Sequence, residues 1–172
     1  MEPTKIFVRG LPLDATESSI RNIFEPCGQI KLVYLPKMEP HETEQTAHVV
    51  FTDHEAAKKA IHEFNYALVD NNKIKITYGD EETLNFIQSG QNKLIIEGLD
   101  QSISEQDIFF HFMKYGEVLY CAMATAITGK YLGICFVTYR NKSEADAAIE
   151  HLNGGILNDK EIHVRYAPEG LK

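Results

Sequence analysis

Displaced by 88 residues, the sequence lies on itself without a gap. Phe7 falls on Ile95, Gly10-Leu11 on Gly98-Leu99, Ile20 on Ile108, Phe24 on Phe112 and Gly28 on Gly116. Further along, His48 falls on Phe136, Val49 on Val137, Phe51 on Tyr139, Ala57 on Ala145, Ala60-Ile61 on Ala148-Ile149, Asn65 on Asn153 and Ile74 on Ile162. The matched positions are structural in kind: core apolars, turn glycines and helix alanines. The period is too long for a solenoid unit and suits a small domain. The chain therefore reads as two copies of one domain, and its 172 residues, 44% of them hydrophobic, can bury two small cores.

Hydrophobic periodicity places the elements. Lys5–Leu11 alternates as a strand, with Ile6 and Val8 inward and Lys5, Phe7 and Arg9 outward. Asp14 or Thr16 caps a helix whose buried stripe is Ile20, Ile23 and Phe24, ended by Pro26-Cys27-Gly28. Ile30–Leu35 is a second strand in which Tyr34 shares the outward face of Phe7, with a bulge near Lys31 bearing on the parity. Residues 36–45 form a polar loop, and Thr46–Phe51 a third strand with Thr46 and His48 outward. Asp53 caps a helix that buries Ala57, Ala60, Ile61 and Phe64, and Lys73–Tyr78 is the last strand, with Lys75 and Thr77 outward. The second copy repeats the plan. Its strands are Leu94–Leu99, Val118–Ala124 and Leu132–Tyr139, with a final strand anchored by Ile162 and Val164. Ser104 and Asp107 make a capping box for its first helix, and Ser143 with Asp146 is expected to cap the second, which ends at Asn153-Gly154. The fold class is α+β: two ferredoxin-like βαββαβ domains in tandem, each with one bare sheet face. The expected boundaries are 1–79, a linker at 80–92 marked by Ser89-Gly90-Gln91-Asn92, a second domain at 93–167 and a tail at 168–172.

Leu132–Tyr139, LGICFVTY, partly matches an octamer of basic, Gly, aromatic, Gly/Ala, Phe, Val, any, aromatic. Gly133, Phe136, Val137 and Tyr139 fit, whereas Leu132, Ile134 and Cys135 depart. Together with IFVRGL (6–11) and the repeat, it makes the chain resemble tandem RNA-recognition motifs (RRMs). FEPCGQI (24–30), EFNYALVDNNKIKITYG (63–79), IQSGQNKLIIEGLDQSIS (87–104) and LNGGILNDKEIHV (152–164) resemble, more narrowly, the first two RRMs of cytoplasmic poly(A)-binding proteins. The linker and the turn Ile156-Leu157-Asn158-Asp159 are the most specific parts. Thr46, His48, Ile95 and Ile134 stand where that family has aromatics, and Glu44 and Leu132 where it usually has a basic residue. Such proteins carry further RRMs and a peptide-binding domain, so the resemblance implies a fragment or a minimal relative. It also implies binding of single-stranded mRNA, A-rich sequence preferred.

An RRM sheet stacks bases on aromatic rings and places phosphates near Lys and Arg. The first copy presents Lys5, Phe7, Arg9, Tyr34, Thr46, His48, Lys75 and Thr77. The second presents Lys93, Ile95, Glu97, Ala122, Ala124, Ile134, Phe136, Thr138, His163 and Arg165. There only Phe136 stacks well, Glu97 should repel phosphate, and Ile95, Ile134 and Phe136 form an apolar patch that wants RNA, the linker or another protein. RNA contact is therefore expected mainly on the first copy. Phe7, Tyr34, His48 and Phe136 are the stacking set, Lys5, Arg9, Lys75, Lys93 and Arg165 the phosphate set, and Thr46 and Ile134 adjoin them. By analogy with family linkers, Tyr78, Gln91 and Asn92 are expected to pair with base edges, with Asp80-Glu81-Glu82 turned away from phosphate; a solvated spacer is the other reading. In Ile108–Met113, Ile108 and Phe112 make the core pair, which leaves Phe110 and Met113 facing away as a protein-docking surface. The resemblance implies a translation-initiation scaffold as the partner there.

Net charge is −8 with pI about 5.3, which argues against a general nucleic-acid glue but not against a locally basic face. Residues 1–79 carry net −2, 80–92 net −3 and 93–167 net −3. Cys27, Cys121 and Cys135 are scattered at core-like positions, which suits a reducing compartment. With no long apolar run and a start that enters a strand directly, the cytoplasm is expected, with the nucleus as second compartment and no membrane. His41-Glu42, His54-Glu55 and His62-Glu63 lack a second histidine at ligand spacing, and Thr128-Gly129-Lys130 lacks the upstream glycine of a phosphate loop. No enzyme, metal or cofactor is expected, and the chain should be a monomer. The rival reading is a degenerate-RRM protein-interaction module in a translation or splicing complex.

Overall fold

The structure is a computed structural model and describes residues 2–169. Of the expected tail, residues 170–172 lie outside the described residues. The chain divides into two compact units between Leu84 and Asn85, inside the segment read as the linker.

In the first unit the alternating stretch Lys5–Leu11 forms β1. Thr16, one of the two candidate caps, accepts from the Ser19 amide and starts α1 (Glu17–Phe24). β2 (Ile30–Tyr34), β3 (Gln45–Phe51) and α2 (His54–Phe64, capped by Asp53) follow. The last stretch does not run as one strand. A two-residue hairpin, β4 (Leu68–Val69) and β5 (Asn72–Lys73), turns through Asp70 and Asn71 at positive φ, and β6 (Lys75–Tyr78) follows separately. The antiparallel sheet runs β2-β3-β1-β6. Ile6, Val8, Ile20, Phe24, Val49, Phe51, Ala57, Ala60 and Ile76 are buried together between helices and sheet. Each large side chain among them contributes about 1.5–3 kcal/mol on burial.

α3 (Glu81–Ser89) occupies most of the expected linker. In the second unit β7 (Lys93–Glu97), α4 (Glu105–Phe112, with the Ser104–Asp107 capping box), β8 (Val118–Thr125) and β9 (Tyr131–Tyr139) come next. α5 (Lys142–Leu152) starts two residues earlier than expected. Its capping box is Asn141 with Glu144, not Ser143 with Asp146, because Asn141 already leaves the strand in an extended conformation. The hairpin β10 (Ile156–Leu157) and β11 (Lys160–Glu161) precedes β12 (His163–Tyr166), and the sheet runs β12-β7-β9-β8.

The repeat reaches into the hydrogen bonds. Asn65 Oδ1 accepts from the Ile76 amide at 2.8 Å and Asn153 Oδ1 from the Val164 amide at 2.9 Å, tying each second helix to its edge strand. Gly10 and Gly98 sit at φ +82° and +81°, and a side chain there would meet the Lys73 or Glu161 carbonyl at 2.6 or 2.7 Å. Only glycine combines that conformation with so close an approach. Asn65→Ala leaves the buried Ile76 amide without its acceptor. It is expected to destabilise the first unit by about 1–3 kcal/mol and to accelerate amide exchange at Ile76, both readable by NMR hydrogen exchange; unchanged exchange would deny the bond a structural role.

Candidate nucleic-acid interface

The open face of the first sheet carries a row of rings in register. Across the strands Tyr34 pairs with His48, His48 with Phe7, and Phe7 with Thr77. The Phe7 and His48 ring centroids lie 4.4 Å apart and those of Tyr34 and His48 5.6 Å. The bulge suspected near Lys31 is present between Ile30 and Leu32, and Tyr34 stands on the face of Phe7 with 55% of its surface exposed. Phe7, His48 and Thr46 are half-buried. Lys5 Nζ lies 5.1 Å from the Phe7 ring centroid, and Arg9 pairs with Lys75 directly across the sheet. Like charges placed opposite each other repel, and an anion laid over them relieves that repulsion. β1, β2, β3 and β6 contain no Asp or Glu. Burial, and then the Lys5 ammonium, hold the His48 imidazole below its ordinary value of 6.5, so near neutral pH it is an uncharged ring.

The corresponding row of the second sheet is Ala122, Phe136, Ile95 and Arg165. Lys93 Nζ lies 4.6 Å from the Phe136 ring centroid, as Lys5 does over Phe7. Two expectations change. The Arg165 guanidinium donates to Glu97 Oε1 at 3.1 and 2.6 Å, so its charge is held by a neighbour in the sheet, and Glu97 is answered rather than repelling. Ile95 is only 6% exposed between its neighbours Phe136 and Arg165, so the bare patch shrinks to the half-buried Ile134 and Phe136. The second sheet carries one further ring. Tyr120, 37% exposed, pairs with Thr138, which pairs in turn with Lys93. The alternation that turns Ala122 outward also turns Tyr120 outward, and its counterpart one repeat earlier is Leu32, beside the first bulge.

The linker residues are not brought together as a reading head. Tyr78 is 0% exposed, with its ring stacked on His54 at 5.9 Å, because its strand parity turns it into the core. Asn92 sits at φ +54° and its Nδ2 donates to the Arg140 carbonyl at 3.1 Å, a bond that shapes the entry to β7. Gln91 is exposed. Of the acidic cluster, Asp80 accepts from the Thr4 and Lys5 amides at 3.4 and 3.0 Å and so braces β1, while Glu81 and Glu82 are exposed. The expected docking pair on α4 is only partly exposed. Phe109 takes the extra buried position, Phe110 packs edge-on against it at 5.4 Å, and Met113 lies in the 3-10 turn Met113–Tyr115. Phe110 and Met113 are half-buried.

The chain is similar to several known proteins. The chain is 30% identical over 162 residues to polyadenylate-binding protein 2 of Arabidopsis thaliana, covering 94% of this chain and 26% of that protein. It is 29% identical over 160 residues to the polyadenylate-binding protein, cytoplasmic and nuclear, of Eremothecium gossypii, covering 92% and 27%. It thus spans about a quarter of the length of these curated relatives. Among solved structures, RNA recognition domains 1 and 2 of Drosophila melanogaster Sex-lethal share 26% identity over 95% of this chain and 99% of that one, with a TM-score of 0.47. The pattern of the RNA recognition motif matches residues 6–75 and 94–163, one match in each unit, and the chain belongs to that family as a tandem of two motifs.

Proposed function

We propose that the chain binds single-stranded RNA, with A-rich mRNA sequence preferred, mainly through the open face of its first sheet and without catalysis. The observation that carries this reading is the in-register row Tyr34–His48–Phe7, flanked by Lys5, Arg9 and Lys75 on strands free of acids. Three rings side by side offer stacking surfaces, each stacked base contributing about 1–3 kcal/mol, and the cations track the phosphates. The second sheet supports a lesser share: it has Phe136 and Tyr120 with Lys93, while Arg165 is engaged by Glu97. The A-rich preference rests on the likeness to proteins named polyadenylate-binding.

Fluorescence anisotropy with short oligo(A) and oligo(U) tests the reading. Phe7→Ala is expected to weaken oligo(A) binding by roughly 5- to 150-fold, and Phe136→Ala by less. Equal affinity for oligo(U) would remove the base preference, and no binding at low salt would remove the RNA reading altogether. Affinity should fall with salt, and Lys75→Ala should flatten the log-log slope by about 0.7, the share of one phosphate contact on single strands. An unaltered slope would take Lys75 out of the phosphate set.

His48 gives a pH signature. Its folded-state value lies below 6.5, so between the two values the unfolded chain holds more protons. The stability of the first unit should rise with pH across that window and level off above 6.5, and His48→Asn should reduce the rise. An NMR titration that placed His48 at or above 6.5 would contradict the burial argument.

A further inference from the structure

The residue that follows β6 is Gly79, and the space a side chain would take there is filled by the Phe7 ring. A Cβ added there would stand 2.6, 2.8 and 2.9 Å from three carbons of that ring, closer than packed carbons approach. Phe7 pairs with Thr77, so Gly79 is its diagonal neighbour on the same open face, within reach of a long or aromatic side chain. The Gly79 backbone is anchored. Its amide donates to the Lys5 carbonyl at 2.8 Å, and the adjoining Asp80 carboxylate accepts from the Thr4 and Lys5 amides. A side chain at 79 would therefore meet fixed backbone below and the ring above, and the ring would have to move. Its neighbours limit where it can go, with His48 at 4.4 Å between centroids and Lys5 Nζ at 5.1 Å.

The second unit supplies an internal control. One repeat on, Phe7 becomes Ile95, Gly79 becomes Ala167 and Asp80 becomes Pro168. The same backbone bond persists, from the Ala167 amide to the Lys93 carbonyl at 2.8 Å. Where the ring is absent a methyl is present and the bracing carboxylate is gone. Where the ring is present the site is emptied and braced.

We infer that Gly79 is a positioning residue for RNA binding: it leaves the space in which the Phe7 ring lies in line with His48 and Tyr34 as a stacking surface. This rests on the RNA reading above. It adds to that reading a determinant that touches no base and lies outside the four strands of the sheet.

The test is a double-mutant cycle in the full chain, read by anisotropy with labelled oligo(A), with the His48 ring protons followed by NMR. Gly79→Ala is expected to weaken binding about fivefold, a fraction of the loss of a whole stack, and to shift the His48 ring signals as the neighbouring ring moves. Phe7→Ile rebuilds the pair found in the second unit and should weaken binding by more. In the Phe7→Ile background, Gly79→Ala should cost nothing further, because the two residues act through one contact. Equal losses from Gly79→Ala in both backgrounds, or binding and His48 signals unchanged in Gly79→Ala while Phe7→Ile weakens binding, would overturn the role of Gly79 alone. Full affinity in Phe7→Ile would overturn the stacking role of Phe7 on which it stands, and no oligo(A) binding by the unaltered chain would overturn the RNA reading itself.

Discussion

The hydrogen-bonded register of β1 is the constraint on which the open face depends. β1 lies between β3 and β6, so each outward residue has its neighbours fixed on both sides. A slip of one residue against either neighbour would exchange the two faces, sending Phe7 into the core and Ile6 to solvent. Both ends of the strand resist this. At its start the Thr4 carbonyl accepts from the Phe51 amide and the Lys5 carbonyl from the Gly79 amide; near its end Gly10 takes a positive φ against the Lys73 carbonyl. The ring row, its cations and the clearance above Gly79 follow from that registration.

The two units share this scaffold and differ in what they present on it. Helix alanines, the paired asparagines and the turn glycines recur because they meet backbone or close-packed neighbours, where a change is costly. The open face lies away from the helices, and there the repeat loosens: Tyr34, His48, Phe7 and Thr77 are answered by Ala122, Phe136, Ile95 and Arg165. A net charge of −8 is compatible with a cationic face for the same geometric reason. The acids of the first unit stand on helices and loops, so the field near the strands belongs to Lys5, Arg9 and Lys75, while long-range steering of RNA by the whole chain is weak.

Much of this was legible in the residues. Period-2 alternation located β1 and β3 and turned Phe7, His48 and Lys75 outward, and the ungapped repeat carried the same topology into the second half. The misses fall where a local pattern competes with a partner distant in sequence. Ser143 and Asp146 suit a cap as well as Asn141 and Glu144 do, and the end of β9 decides between them. Phe110 and Met113 read as surplus on an ideal helix, but Phe109 enters the core and the helix tightens after Phe112. Tyr78 and Asn92 look like free polar groups until His54 and the Arg140 carbonyl, far along the chain, are brought to them.

By itself the sequence determined the two-domain plan, the split βαβ topology and the outward assignment of Phe7, His48 and Lys75, because hydrophobic period and turn chemistry act over a few residues. Only the tertiary structure decided that Tyr34, His48 and Phe7 form one continuous row, that Arg165 is held by Glu97, and that the Phe7 ring lies in the gap left by Gly79. Each of these is a contact between side chains on different strands, fixed by register, bulge and the space a neighbour leaves, and pattern along one strand carries no information about distance across the sheet.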